Sequence, residues 1–260
     1  MRVLDSVVAA ADRFGELVRS VPDPAVPVPA TPGWSVLDVV RHVSTEPARY
    51  AALARGGDDV PDTAAGLPAF NAERIAAEPS EDVSRLAERT RADTVALVEL
   101  IRGFGDDVPF MLFDGQVRVR SDLAVGTLLG EFLVHGYDIA KACRLPWVID
   151  PADVPLVKAG QHQVLPAWVD RAASAGHTAT YEMRLRRHAS YIYRFVDGEL
   201  TVDPPESGPI DAHISVEPVT GLLADYGRIG PVVPVLTGRM VVWGRRPWLA
   251  ARLPRLFHSP

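Results

Sequence analysis

The apolar residues in the first half of the chain recur at spacings of three and four, the repeat of a helix with one buried face. Val3, Val7, Ala11, Phe14 and Val18 predict a first helix of this kind. The segment PDPAVPVPATPGW follows, and its prolines, which lack an amide proton and fix φ, predict an extended connector. Ser35 has N-cap chemistry with Asp38 in the capping-box position, so a second helix is expected through His42 to about Arg55, with Val36, Val39, Val40 and Val43 facing inward. Residues 56–68, rich in Gly, Asp and Pro, read as a loop. Ser80 is the expected cap of a third helix that carries Val83, Leu86, Val95, Val98 and Ile101 and ends near Gly103. Asp114-Gly115, between two short β-like runs, predicts a tight hairpin. Ser121 is the expected cap of a fourth helix, with Leu128, Leu129, Phe132, Leu133 and Ile139 in its stripe and Pro146 as its stop. Four main helices in this stretch predict a bundle.

A fifth helical stretch is expected over residues 152–175, after which the period changes to two. Tyr181, Met183 and Leu185 alternate with polar residues, as do Tyr191, Tyr193 and Phe195, and Asp197-Gly198 turns the latter run into Leu200 and Val202. Ala212, Ile214 and Val216 form another such run before a short helix at 218–227. The expected fold class is α+β: a helical bundle over residues 1–148 and a smaller α+β domain with an antiparallel sheet over 149–260, meeting in the Pro-containing stretch 145–155.

A chain of 260 residues accommodates two domains of ordinary size, and 47% apolar with 23% charged residues excludes wholesale disorder. The longest uncharged stretch, residues 24–37, holds four prolines, so neither a transmembrane helix nor a membrane partner is expected. Asp5 and Asp12 interrupt the N-terminal apolar residues, which argues against a signal peptide and for a cytoplasmic location. The single Cys143 rules out an internal disulfide and Cys-rich zinc folds, so any metal must be held by His and carboxylates. A net charge of −6 argues against a nucleic-acid partner.

Within GEFLVHGYDIAKA, Glu131 and His135 stand four apart and therefore project from one helix face, among the inward residues Leu128, Phe132 and Ile139. A buried carboxylate needs a positive partner, and His42, in the apolar stripe of the second helix, is the natural one. Two histidines and a glutamate from two bundle helices make a three-ligand metal site with open positions. Spacing alone leaves the alternative of packed core histidines open. Asp38 reads first as the capping-box partner, Glu46 as a solvated neighbour of Arg49 or Tyr50, and Asp138 as either an exposed residue or a group that orients His135.

The blocks TPGWSVLDVVRHV and GEFLVHGYDIAKA together resemble the mycothiol-dependent maleylpyruvate isomerase family, whose N-terminal domain is a DinB-like four-helix metal-binding bundle. The resemblance implies that His42, Glu131 and His135 bind zinc and that a low-molecular-weight thiol, mycothiol or one like it, is the co-substrate. EPVTGLLADYGRIG is similar to the family's C-terminal Leu-Leu-x-x-x-Gly-Arg block, which implies that Arg228 serves the substrate carboxylate, with Arg239 as second choice. LTGRMVVWGRRPWLAARL is similar to sterol-carrier-protein-like domains. The implied function is a zinc-dependent, thiol-using isomerisation or S-transfer on a small carboxylate-bearing electrophile, with the thiol and that substrate as small-molecule partners. The alternative is a non-catalytic metal-containing binding protein whose C-terminal domain takes an apolar or acyl ligand.

Zinc ligation deprotonates a thiol at neutral pH, so such a protein needs no nucleophilic cysteine, and Cys143 reads as a packing residue. The tail from 239 to 260 carries Arg239, Arg245, Arg246, Arg252 and Arg255 without an acid, with Trp243, Trp248 and Phe257 among them. It reads either as a surface for anionic lipid or a charged substrate, or as a solvated face beside an aromatic cluster. RLRR, residues 184–187, is expected on the exposed face of a strand.

Overall fold

A computed structural model describes residues 2–114 and 116–258. The chain divides into two units, Met1–Ile149 with Leu156–Gln161 and Asp150–Pro155 with His162–Pro260.

In the first unit, helices α1 (Arg2–Arg19), α2 (Val36–Ala54), α4 (Val83–Gly103) and α5 (Ser121–Cys143) form the bundle, and α3 (Leu67–Ala77) packs on α2. Around the bundle α2 packs on α4, α4 on α1, α1 on α5 and α5 on α2. The predicted stripes are its core: Val7, Phe14, Val18, Val39, Val40, Val43, Leu86, Leu128, Phe132 and Leu133 are all buried. Phe14 of α1 meets Phe132 of α5 with ring centroids 5.8 Å apart. α2 starts as the capping box requires: the Asp38 amide donates to Ser35 Oγ at 3.2 Å and the Ser35 amide to Asp38 Oδ2 at 2.8 Å.

Three local expectations are corrected. The cap of α4 is Asp82, not Ser80, because Asp82 Oδ1 accepts from the Ser84 and Arg85 amides two and three residues on. Ser121 lies inside α5, whose N-cap is Arg120, without a side-chain hydrogen bond to the helix amides. α3 is an element the loop reading did not foresee. Leu67-Pro68 supplies the fixed φ suited to a first turn, and AFNAERIAA is rich in helix formers. The hairpin between β1 (Phe110–Phe113) and β2 (Val117–Arg120) is present, although Gly115 of its turn lies outside the described residues.

The expected helix over 152–175 is broken into α6 (Val154–Val164), a 3-10 turn at Leu165–Trp168 and α7 (Arg171–Ser174). Pro166 interrupts the helical hydrogen bonds, and Asp170 restarts them by accepting from the Ala172 and Ala173 amides. Residues of α6 that belong to the first unit cross α5 through glycines. A Cβ on Gly126 would stand 2.2 Å from the Leu156 carbonyl oxygen, and one on Gly160 2.6 Å from the Thr127 amide.

In the second unit, β3 (Ala179–Leu185), β4 (Ser190–Val196), β5 (Glu199–Val202), β6 (Ala212–Val216) and β7 (Met240–Trp243) form a sheet in the order β5-β4-β3-β6-β7. The pairs are antiparallel except β3 with β6. α8 (Pro218–Asp225) and α9 (Val232–Leu236) lie between β6 and β7 in the chain. Tyr181, Tyr193, Phe195, Leu200, Ala212 and Ile214 from one sheet face pack with Leu253 and Leu256 of the tail. The tail is also tied down electrostatically: Asp211, buried, accepts from Arg245 at 3.0 Å and from Arg246 at 2.6 Å, and its Oδ2 takes the Thr180 amide at 3.1 Å. Among the described residues no helix is long and apolar enough to cross a membrane.

Candidate metal centre

The inner face of α2 carries His42, and α5 presents Glu131 and His135 one turn apart, as their spacing requires. Glu131 Oε2 stands 3.2 Å from His42 Nε2 and 3.2 Å from His135 Nε2. One ligand atom from each of the three lies within 4.8 Å of the others. The two imidazoles are buried, whereas the Glu131 side chain keeps 22% exposure, so the cluster is open on the carboxylate side.

Burial alone would raise the Glu131 carboxyl and lower His135, but the local partners win in both cases. Hydrogen bonds from His135 and His42 hold Glu131 well below the usual carboxylate range. Contacts with Asp138 and Glu131, and their charges, lift the His135 imidazole to about 9. The cluster is therefore an anionic carboxylate with a proton held on the ring side, and a divalent cation can take that proton's place.

The residues fit such a cation. Two imidazole nitrogens and one carboxylate oxygen converge, which is a donor set for zinc-type ions that leaves a coordination position open. The remaining ring nitrogens face away. His135 Nδ1 lies 3.4 Å from Asp138 Oδ2, a charge contact outside hydrogen-bond geometry, and Asp138 is buried, so the exposed reading of Asp138 is excluded and a carboxylate stands behind the ring. His42 Nδ1 is buried with no protein hydrogen-bond partner. Gly136 makes room for Trp147: a Cβ there would stand 2.3 Å from the indole, whose Nε1 donates to the Leu133 carbonyl at 3.0 Å.

Several polar residues near the centre were not anticipated. Trp34, in the connector before α2, packs its ring 5.3 Å from that of His42 and 6.5 Å from that of His135, walling one side. Glu46 is not solvated: it is 2% exposed and pairs with Arg49 at 2.8 Å, and Arg49 reaches Asp114 at 3.2 Å. Tyr50 donates its hydroxyl to Thr127 Oγ1 at 2.7 Å, since the Thr127 hydroxyl is itself spent on the Ala124 carbonyl. The signal was present in the order His42, Glu46, Arg49, Tyr50, spaced 0, 4, 7 and 8, a polar stripe on the buried face of an apolar helix.

The family model described as the mycothiol maleylpyruvate isomerase N-terminal domain matches residues 7–140, slightly more than half of the chain and all three ligand positions. The chain belongs to this family. No curated protein matches the chain significantly by sequence. Among solved structures, a crystal structure of the mycothiol-dependent maleylpyruvate isomerase in a His-to-Ala mutant form is similar, with TM-score 0.57 and 14% identity over 93% of this chain and 91% of that one. A second crystal structure of the mycothiol-dependent maleylpyruvate isomerase gives TM-score 0.56 and 15% identity over 88% and 89% of the two chains. These likenesses show that the mycothiol maleylpyruvate isomerase family member described here shares that fold.

The arginines implied by the resemblance lie in the second unit. Arg228 follows α8 and the left-handed Gly227 (φ +69); its amide donates to the Leu223 carbonyl at 2.8 Å and its Nη1 to the Tyr226 carbonyl at 2.6 Å. Arg239 is exposed, just before β7. Arg184 is exposed on β3 as expected, whereas Arg187 sits in the β3–β4 turn rather than on a strand. Burial pushes the Cys143 thiol up, the direction opposite to an activated thiolate.

Proposed function

We propose that this chain is a metal-dependent, mycothiol-using enzyme that isomerises, or transfers sulfur to, a small carboxylate-bearing electrophile. The observation that carries the reading is the convergence of His42 Nε2, His135 Nε2 and Glu131 Oε2 on one point of the bundle with the carboxylate side open. His42, Glu131 and His135 would hold the ion, which we take to be zinc. When bound, zinc supplies the positive charge that keeps a thiol deprotonated at neutral pH.

The chain's own residues do the rest. Asp138 places a carboxylate behind the His135 ring, whose Nε2 faces the cluster, and Glu131 stays ionised under its two imidazoles. Trp34 covers one side and limits the approach of water and thiol to the remaining opening. Arg228 is the proposed partner of the substrate carboxylate, because it stands at the position of the family's Gly-Arg block and a guanidinium stays charged and matches a carboxylate with two parallel donors. Arg239 remains the second choice for that role.

The test is thiol-dependent turnover of maleylpyruvate and related cis-unsaturated carboxylates by the purified protein, with mycothiol supplied and withheld. Turnover that requires both mycothiol and an intact His135 supports the reading; turnover indifferent to the thiol contradicts it. Arg228→Ala separates two roles. Lost turnover at an unchanged melting temperature supports substrate contact, whereas normal turnover with a lowered melting temperature reduces Arg228 to a cap of the α8 carbonyls.

A further inference from the structure

A pocket of about 500 Å³ lies wholly within the second unit, where Arg186, Arg187 and His188 of the β3–β4 turn meet Glu217 at the start of α8 and Arg239 before β7. Three arginines and one glutamate line it. They come from turns far apart in sequence, so the clustering is made by the fold and not by a run of basic residues.

The cations differ in how they are held. Arg186 is anchored, with Nε donating to Ser215 Oγ at 3.2 Å and its backbone amide to the Val216 carbonyl at 2.9 Å. Arg187 and Arg239 are exposed and have no carboxylate partner among the described residues. Arg187 takes the left-handed conformation at φ +63, unusual for a residue with a side chain, and Arg239 follows the left-handed Gly238 at φ +69. Glu217 is already engaged, its Oε2 accepting from Thr220 Oγ1 at 2.7 Å and its amide donating to the Arg239 carbonyl at 2.9 Å.

We infer that this pocket binds a phosphate-bearing anion. Guanidinium forks grip phosphate oxygens in pairs, and a group carrying two charges matches the excess of three cations over one acid where a single carboxylate would not. The volume is that of a site for a whole small molecule. The phosphate can come from a soluble phosphorylated molecule or from a lipid headgroup. α9 leads directly into the Arg239 turn and exposes Val232, Val233, Val235 and Leu236 at 67, 65, 48 and 81%, an apolar neighbour that either source could use. The site uses none of the metal-centre residues.

The full chain is titrated with pyrophosphate and inorganic phosphate by calorimetry, and sedimented with vesicles of phosphatidylcholine alone or doped with phosphatidic acid, whose headgroup is a phosphomonoester. Wild type, Arg239→Gln, the double variant Arg187→Gln/Arg239→Gln and Arg171→Gln are compared. Arg171 is an exposed arginine of the same unit, paired with Glu199 outside the pocket, so its loss controls for bulk charge. Because His42, Glu131 and His135 are untouched throughout, any anion held there cancels in the comparison. The expected result is saturable binding of a free phosphate, or of phosphatidic-acid but not pure phosphatidylcholine vesicles, weakened at least tenfold in the double variant, partly in Arg239→Gln and not in Arg171→Gln. Binding of free phosphate assigns a soluble ligand; binding of vesicles alone assigns a lipid headgroup. Absence of both, or equal losses in Arg171→Gln and the double variant, overturns the inference.

Discussion

Asp138 Oδ2 lies 3.4 Å from His135 Nδ1, while the other nitrogen of the same ring faces Glu131 at 3.2 Å. One imidazole thus stands between two carboxylates. Asp138→Asn keeps the shape but removes the charge behind the ring. It should lower metal affinity by about 10–100-fold, as loss of such a supporting partner commonly does, read by competition with a chromophoric chelator. Unchanged affinity would mean that Asp138 only fills space.

Gly136 should tolerate no side chain. A Cβ would stand 2.3 Å from the Trp147 indole, so Gly136→Ala must displace the ring that donates to the Leu133 carbonyl. The expected cost is about 1–3 kcal/mol by denaturant unfolding. A variant as stable as wild type would show that Trp147 packs elsewhere.

Removing the buried cation of the bundle should be costly for a different reason. Arg49→Met leaves Glu46 and Asp114, both under 10% exposed, facing each other without their shared partner. A loss of about 3–5 kcal/mol is expected from the stranded charge. The measurement is urea unfolding of the full chain, and a loss below 1 kcal/mol would contradict the assignment.

Asp211 carries the corresponding role in the second unit. The hydrogen bond from Arg246 first, then the Thr180 amide and the charges of Arg246 and Arg245, hold its carboxyl below the usual range. A pKa lower in the folded than in the unfolded state gives stability that is complete above the unfolded value of about 3.9 and is lost as pH falls through the folded one. Asp211→Asn should therefore cost about 2 kcal/mol near neutral pH, judged from hydrogen bonds to charged groups. The gap from wild type should narrow as pH drops below about 4. A gap independent of pH would place the cost in packing.

Much of this was legible because the sequence wrote it in local chemistry. The helix periods, the Ser35–Asp38 box, the Asp197-Gly198 turn and the His42, Glu131, His135 faces each depend on residues within one or two turns. What was missed depends on distant partners. Glu46 reads as solvated until Asp114, 68 positions away, brings a second acid to Arg49. Trp34 looks like connector until the loop folds its ring over His42. β7 is a run of four residues whose strand identity comes from its pairing with β6. Ser80 and Asp82 both have cap chemistry, and only the backbone shows which one the amides choose.

The central claim is that His42, Glu131 and His135 hold one divalent ion, and elemental analysis of the purified protein tests it most directly. Wild type should carry close to one metal ion, zinc above others, per chain, and His135→Ala should fall to background while retaining the helical circular dichroism of the bundle. Full metal content in a folded His135→Ala variant, or a wild type that takes up no metal when zinc is supplied, would contradict it.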